Sequence, residues 1–338
     1  MISNMWYAIA ASSQVKAGYI TTLRRLSKDL ALYRDPRGAL HCVYDMCAHR
    51  GASFERGKVC NDGIKCPFHG IEYNTKGQAT LIPSDGKANP KNLSRFHLTT
   101  FPVIEVDEII YLWYGKGEPS PSPRPLPHIG NMAYDEIQVP WTTHYSRVIE
   151  NQLDVSHLPF VHHNTIGKGN KTLVNGPKFV FESPNEMIHS ANNAVDHGQL
   201  PKSNEDAAIR STYMTFRWPN TWVNHISDKL NIMAYFVPVD DENTLLCLRF
   251  YNRFTGLEAL DRLIAKFGSI GNRVVQNQDR VIVQTQRPKR SDLKINENLV
   301  QADRPIIEYR KRRAELIAAA DETSEKSPQA AKPSEHDA

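Results

Sequence analysis

No stretch of this 338-residue chain approaches the ~20 consecutive apolar residues needed to cross a bilayer. The densest run, IIYLWY at 109–114, has the length of a β-strand, so no membrane partner is expected. The opening MISNMWYAIA lacks the basic-then-apolar pattern of a secretory leader. Cysteine is scarce and odd in number, five in all, which fits a reducing, cytoplasmic setting better than a disulfide framework. No G-x-G-x-x-G follows a strand pattern, which excludes the usual nicotinamide- or flavin-dinucleotide fingerprint. Neither sign of charge dominates: 41 Lys and Arg face 37 Asp and Glu. The single basic run, Arg310-Lys311-Arg312-Arg313, lies in a helical pattern. It reads as a solvated helix face rather than a nucleic-acid patch.

The chemistry is concentrated between Cys47 and His69, in CAHRGASFERGKVCNDGIKCPFH. One Cys-x-His pair (Cys47, His49) and one Cys-x-x-His pair (Cys66, His69) flank residues 50–65. Thiolate and neutral imidazole both ligate iron or zinc. A zinc finger usually sorts its cysteines to one knuckle and its histidines to the other. Here each knuckle carries one of each, which suits two sulfide-bridged irons, one held by both thiolates and the other by both imidazoles. A structural zinc knuckle is the competing reading. Gly51 and Gly70 after the knuckles are expected to open the turns so that backbone N–H groups point at cluster sulfurs.

CAHRG followed at this distance by CPFHG resembles the Rieske motif of the Rieske non-haem iron oxygenases, the ring-hydroxylating and demethylating family. Pro often follows the first Cys in such motifs; here Ala48 stands there and the ligands are intact. A second stretch, WTTHYSRVIENQLDVSHLPFVHHNTIG (141–167), carries Asn151, Asp154 and His157 at i, i+3 and i+6, on one side of a helix expected over 144–157 with Thr142 or Thr143 as its cap. Pro159 should end or kink that helix and bring His162 back toward His157. Asn-x-x-Asp-x-x-His-x-x-x-x-His resembles the family's mononuclear iron motif. The resemblance implies that His157 and His162 ligate Fe(II), that Asp154 is a bridging carboxylate, and that Asn151 lies beside the metal. His163 is the rival to His162. Two histidines need one carboxylate to complete a non-haem Fe(II) triad with open positions. The helical pattern of 256–286 contains Asp261 and Asp279, and Gln278-Asp279 looks like the family's last ligand position. On its own, Asp279 reads as an exposed helical aspartate facing Arg280 or Lys266. The same pattern places Leu260, Leu263, Ile264, Phe267 and Ile270 on one face.

The rest of the chain reads as two domains. Residues 1–118 show short alternating strands broken at turn residues, among them Ala17-Gly18, Pro36-Arg37-Gly38, Lys76-Gly77 and Asp107-Glu108. Residues 119–127 hold five prolines and form a stiff connector. Residues 128–320 mix helices with strands, 186–210 reads as a polar loop over the entrance, and 321–338 as a disordered tail. Phe216, Trp218, Trp222, Met233, Tyr235, Phe250 and Tyr251 are candidates for a pocket between sheet and iron. The expected class is α+β, an all-β antiparallel Rieske sandwich followed by what the resemblance implies is a helix-grip catalytic domain.

The resemblance further implies a [2Fe–2S] Rieske cluster passing electrons to a mononuclear Fe(II), with O2 as oxidant and an aromatic or heterocyclic small molecule as substrate. It points to the single-component-type group of vanillate and dicamba O-demethylases and saxitoxin-pathway hydroxylases. Without a dinucleotide site, NAD(P)H is expected to act indirectly, through a ferredoxin or flavin reductase. A head-to-tail homotrimer is the family's usual assembly. Hydroxylation, demethylation and cis-dihydroxylation stay open, as does a non-catalytic electron-transfer role.

Overall fold

The computed structural model describes residues 1–86, 93–116, 118–119, 121–126 and 128–326. The first part is all strand: β1 (Met5–Ala11), β2 (Ile20–Arg25), β3 (Lys28–Arg34), β4 (Leu40–Tyr44), β5 (Lys58–Cys60), β6 (Gly63–Lys65), β7 (Glu72–Asn74), β8 (Ala79–Leu81), β9 (Thr100–Phe101), β10 (Val103–Val106) and β11 (Ile109–Tyr114). They form antiparallel sheets in the orders β1-β11-β10, β2-β3-β4-β9 and β5-β6-β7-β8. Tight two-residue turns connect them where φ is positive at both positions, Leu26-Ser27 and Asp107-Glu108, the geometry that matches strand twist.

The second part is one antiparallel sheet under helices. In chain order it runs β12 (Ala133–Trp141), α1 (Tyr145–Leu153), α2 (Leu158–Val161), β13 (Leu173–Ser183), β14 (Glu186–Ala194), β15 (Tyr213–Arg217), β16 (Thr221–Ser227), β17 (Leu230–Pro238), β18 (Thr244–Asn252), α3 (Glu258–Val283) and α4 (Arg304–Lys326). The sheet order is β12-β18-β17-β16-β15-β14-β13. Its period-2 alternation sorts side chains to two faces. One packs Phe216, Trp222, Ala234 and Leu248 against Val148, Ile149 and Leu153 of α1 and Tyr309 of α4. The other packs Val223, Met233, Tyr235 and Tyr251 against Trp6, Ile109, Tyr111 and Trp113 of β1 and β11. Asn220 clamps the two parts, accepting from Ala8 N at 3.1 Å and donating to Ala8 O at 2.9 Å.

Several local expectations are corrected. The helix expected over 144–157 ends early, at Leu153, because Asp154 is extended (ψ 133°), and a separate short helix, α2, starts only at Leu158. Its cap is His144, whose Nδ1 accepts from Ser146 N, rather than either threonine. Residues 186–194 of the supposed loop are strand β14. α4 runs to Lys326, through the start of the stretch expected to be disordered; residues 327–338 lie outside the described residues, as do 120 and 127 of the connector. Arg310 and Arg313 are buried, so the basic run is not wholly a solvated face. On α3 the apolar stripe points outward, with Phe267 67% exposed. The side toward the sheet carries Asp261, Ser269, Gln276 and Asp279. Among the described residues no helix is long and apolar enough to cross a membrane.

Candidate metal centres

The two knuckles are near-copies. Cys47 N donates to Ala52 O and Gly51 N to Cys47 O, both at 2.9 Å; Cys66 N donates to Ile71 O and Gly70 N to Cys66 O, at 2.9 and 3.1 Å. Gly51 and Gly70 both have positive φ, 72° and 71°, which a side chain would strain. Their own N–H groups close the turns, and at the second knuckle the N–H groups of Phe68 and His69 point at the Cys66 thiol. The thiols of Cys47 and Cys66 are buried side by side, and burial is the main cause raising the Cys66 thiol above its ordinary pKa. Tyr73 Oη lies 3.2 Å from Cys47 Sγ; this tyrosine carried no signal in sequence. His49 and His69 are exposed, with Nδ1 atoms 3.2 Å apart.

A single tetrahedral zinc draws its donors to within about 4 Å of one another. Among the described residues, only one group of three or more metal-capable side chains brings its donor atoms within 4.8 Å, and none of these four belongs to it. Sulfur donors on one side and nitrogen donors on the other, too spread for one ion, fit a two-iron cluster.

That converging group is His157, His162 and Asp279. Asp154, the last residue of the α1 turn, accepts from Ser156 N and Oγ at 2.6 and 2.7 Å, which folds the chain into a tight bend. His157 then opens α2, with Pro159 inside its first turn, where no N–H is needed. Gly167 closes the loop on His162 O at 2.9 Å. A Cβ there would fall 1.8 Å from Leu158 O, so only glycine fits. Asp279 comes from the buried side of α3. Its Oδ1 lies 2.8 Å from His162 Nε2 and 3.5 Å from His157 Nε2. Asp279 Oδ1 and the two Nε2 atoms thus converge on a common point. Asp279 is 3% exposed, unlike the exposed aspartate its sequence context also allowed.

Behind the group, Asp154 Oδ2 stands 3.4 Å from His157 Nδ1. Burial pushes the Asp154 carboxyl up, but His157 and Ser156 outweigh it and hold it below the ordinary range. His162 Nδ1 meets Gln278 Oε1 at 2.8 Å. Burial lowers the His162 imidazole, and Asp279 and Gln278 together raise it above its usual value. Asn193 Nδ2 of β14 donates to Val155 O at 2.8 Å and ties the bend to the sheet. Asn151 lines a cavity of about 470 Å³ with Asp154, Glu150, Gln286 and Asp303, its Nδ2 buried and unpartnered among the described residues. His163 is exposed and turned to Phe160 O. Asp261 is engaged by Thr255 and Gly256 at the start of α3, about 27 Å along the helix from Asp279. Of the aromatic pocket candidates, Met233, Tyr235 and Tyr251 lie on the far face of the sheet, while Phe216, Trp218 and Trp222 face the helices.

Comparison with known families gives two adjacent matches. Residues 5–102 match the Rieske [2Fe-2S] domain and 141–319 the vanillate O-demethylase oxygenase C-terminal domain. The chain belongs to the Rieske oxygenases. Within that family it is 30% identical over 169 residues to chlorophyllide a oxygenase of Oryza sativa subsp. japonica, covering 50% of this chain and 30% of that protein. It is 30% identical over 167 residues to the oxygenase component of dicamba O-demethylase of Stenotrophomonas maltophilia, 48% of each. The matched stretch thus spans half or less of these curated relatives. Solved folds are similar over nearly the full length. Pseudomonas putida CBB5 NdmA with caffeine gives a TM-score of 0.73 at 20% identity, covering 94% of this chain and 92% of that one. Dicamba monooxygenase bound to dicamba gives 0.66 at 16% identity, covering 95% and 99%. This Rieske oxygenase therefore has the expected α+β architecture.

Proposed function

We propose that the chain is the terminal oxygenase of a multi-protein system. It hydroxylates or oxidatively demethylates an aromatic or heterocyclic small molecule with O2 and electrons supplied by a ferredoxin or flavin reductase. The observation that carries this reading is the convergence of His157, His162 and Asp279, a two-histidine, one-carboxylate set, in the chain that also bears the Cys47–His49–Cys66–His69 knuckles. Cys47, Cys66, His49 and His69 would hold the [2Fe–2S] cluster, and His157, His162 and Asp279 the mononuclear iron. Iron held by such a triad has open positions and supplies O2 activation.

The protein's own contribution is orientation and exclusion of water. Asp154 and Gln278 each address the Nδ1 of one histidine, leaving both Nε2 atoms turned toward Asp279. A carboxylate or amide at the second ring nitrogen fixes tautomer and raises ligand basicity. His162 and Asp279 are almost wholly buried, so bulk water is kept from their metal side. Asp154 stands at the edge of a cavity, while the cluster histidines are exposed. That pairing supports a head-to-tail homotrimer in which Asp154 bridges His157 to a cluster histidine of a second copy. Hydroxylating a methyl on oxygen or nitrogen gives a hemiacetal or hemiaminal that collapses to formaldehyde, so hydroxylation and demethylation differ only in the substrate.

The test is turnover of methoxy-aromatic and N-methyl heterocycle panels with a surrogate reductase. Products are read by mass for gain of one oxygen or loss of a methyl group. His157→Ala is expected to abolish turnover while the cluster's visible spectrum persists. Turnover surviving that change, or driven by NADH without another protein, would sink the proposal.

A further inference from the structure

The helix-facing side of the sheet holds polar side chains that the fold itself does not use. His189 on β14 pairs in register with Met214 on β15, which pairs with Asn224 on β16, then Ile232 on β17 and Phe250 on β18. Directly opposed residues share a face. Met214, Ile232 and Phe179 of this row pack against the core under α1 and α4. α3 rests on the same row: a Cβ at Gly268 would fall 2.6 Å from the Phe250 ring. Both ring nitrogens of His189 and Oδ1 of Asn224 are buried without a partner among the described residues. So are Asn272 Nδ2 and Gln276 Oε1, one turn apart on the side of α3 that carries Asp279 three residues further on. From His189, β14 runs on to Asn193, whose amide holds the Asp154–His157 bend. Buried polar groups are rarely left unmatched without a reason.

We propose that His189 and Asn224 on the sheet, with Asn272 and Gln276 on α3, form the substrate-recognition wall of the mononuclear centre and select a neutral, hydrogen-bonding ring molecule over an organic anion. Two strand spacings separate His189 from Asn224, about 10 Å, the span of a fused bicycle. Burial drives the His189 imidazole down to about 3. At neutral pH it therefore offers one donor and one acceptor and no charge. Neither this row nor the next (Met187, Phe216, Trp222, Ala234, Leu248) carries a lysine or arginine, and the helix cations that reach the sheet are engaged elsewhere: Arg280 of α3 donates to Pro140 O at 3.3 Å and Arg304 of α4 lies over the Phe179 ring at 5.7 Å. A site built to hydrogen-bond a substrate rejects analogues that leave its buried groups unpaired.

This rests on the oxygenase reading but is tested apart from turnover, by anaerobic calorimetric titration of the holoprotein. The probes are a neutral methoxyquinolinone, a methoxynaphthoate and an apolar methoxynaphthalene. The quinolinone is expected to bind at least about tenfold tighter than either other probe, the worth of one net hydrogen bond. His189→Leu and Asn224→Leu should each remove that advantage while methoxynaphthalene affinity holds within about twofold. Tm should stay level or rise, because an unmatched polar group is removed. Naphthoate binding as tightly as the quinolinone, no preference over methoxynaphthalene, or a fall in Tm with selectivity unchanged would each overturn the proposal. Intact selectivity with no oxygenated product would instead count against the oxygenase reading alone.

Discussion

Gln278 Oε1 accepts from the Nδ1 side of His162 at 2.8 Å, so adjacent residues of α3 address the two nitrogens of one imidazole: Gln278 at Nδ1 and Asp279 at Nε2. Thr165 Oγ1 donates to the same amide oxygen at 3.1 Å, and the amide's Nε2 donates to Asn164 Oδ1 at 3.0 Å. The loop after α2 is therefore pinned to α3 through a single side chain. With Nδ1 carrying the proton, Nε2 presents its lone pair toward Asp279, the tautomer a metal ligand needs.

Gln278→Leu is expected to weaken iron retention at the mononuclear centre by about 10- to 100-fold, the usual cost of losing a partner behind a ligand. Competition with a ferrous chelator measures it. Gln278→Glu, which keeps the acceptor, should retain most of the affinity. The cluster's absorption should be unchanged in both, since Gln278 makes no contact with the knuckles. Equal iron retention in Gln278→Leu and the parent protein would show that the hydrogen bond is incidental.

How much was legible in sequence follows from how local each signal is. The knuckles were readable because four ligands and two turn glycines lie within 24 residues. His157 and His162 were readable because the whole Asn-x-x-Asp-x-x-His-x-x-x-x-His pattern lies within 12 residues, although the bend is made by Asp154 and Ser156 and Pro159 lies inside the first turn of α2. Gln278, Tyr73 and Asn193 were not, because each acts across a sequence gap that periodicity cannot bridge: Gln278 is 116 residues from His162. The apolar stripe of α3 misled for a related reason. Periodicity gives the stripe but not its direction, and here the polar stripe faces inward because it carries Asp279. The aromatic candidates divide between two faces because successive residues of a strand point to opposite sides of the sheet. In the run 310–313 the helix turns Arg310 and Arg313, three apart, inward and leaves Lys311 half-exposed outside.

Asp261 fixes the entry to α3. Burial pushes its carboxyl up, but the N–H groups of Thr255, Gly256 and Phe254 and the Thr255 hydroxyl outweigh it and hold it below the ordinary range. A carboxyl depressed in the folded state stabilises the protein above its unfolded pKa of about 3.9 and loses that contribution as pH falls through the folded value. Asp261→Asn should therefore lower Tm at neutral pH, with the gap to the parent closing as pH drops below about 4. A gap that stays constant across a Tm titration would assign the loss to packing rather than charge.

Glu150 on α1 holds two buried arginines. Arg310 donates to its carboxylate through Nε at 2.7 Å and Nη2 at 2.9 Å, and Arg147 through Nη1 at 3.2 Å. Glu297 completes the set, 2.8 Å from Arg147 and 2.7 Å from Arg310. The network joins α1 to α4 beside the cavity that Asp154 borders. Replacing Glu150 by Ala leaves two buried guanidiniums sharing one half-exposed carboxylate. Removing one partner of a buried ion pair typically costs about 3–5 kcal/mol, far more than the ~1 kcal/mol ceiling of an exposed pair. Urea unfolding should show that loss for Glu150→Ala, with the transition midpoint lowered and its slope unchanged. Glu150→Gln, which keeps the shape and one acceptor, should recover part of it. Because α1 ends in the Asp154 bend, the alanine variant should also lose mononuclear iron faster while keeping its cluster spectrum. A loss of unfolding free energy under about 1 kcal/mol would mean that water reaches the two arginines and that the network does not hold α1 in place.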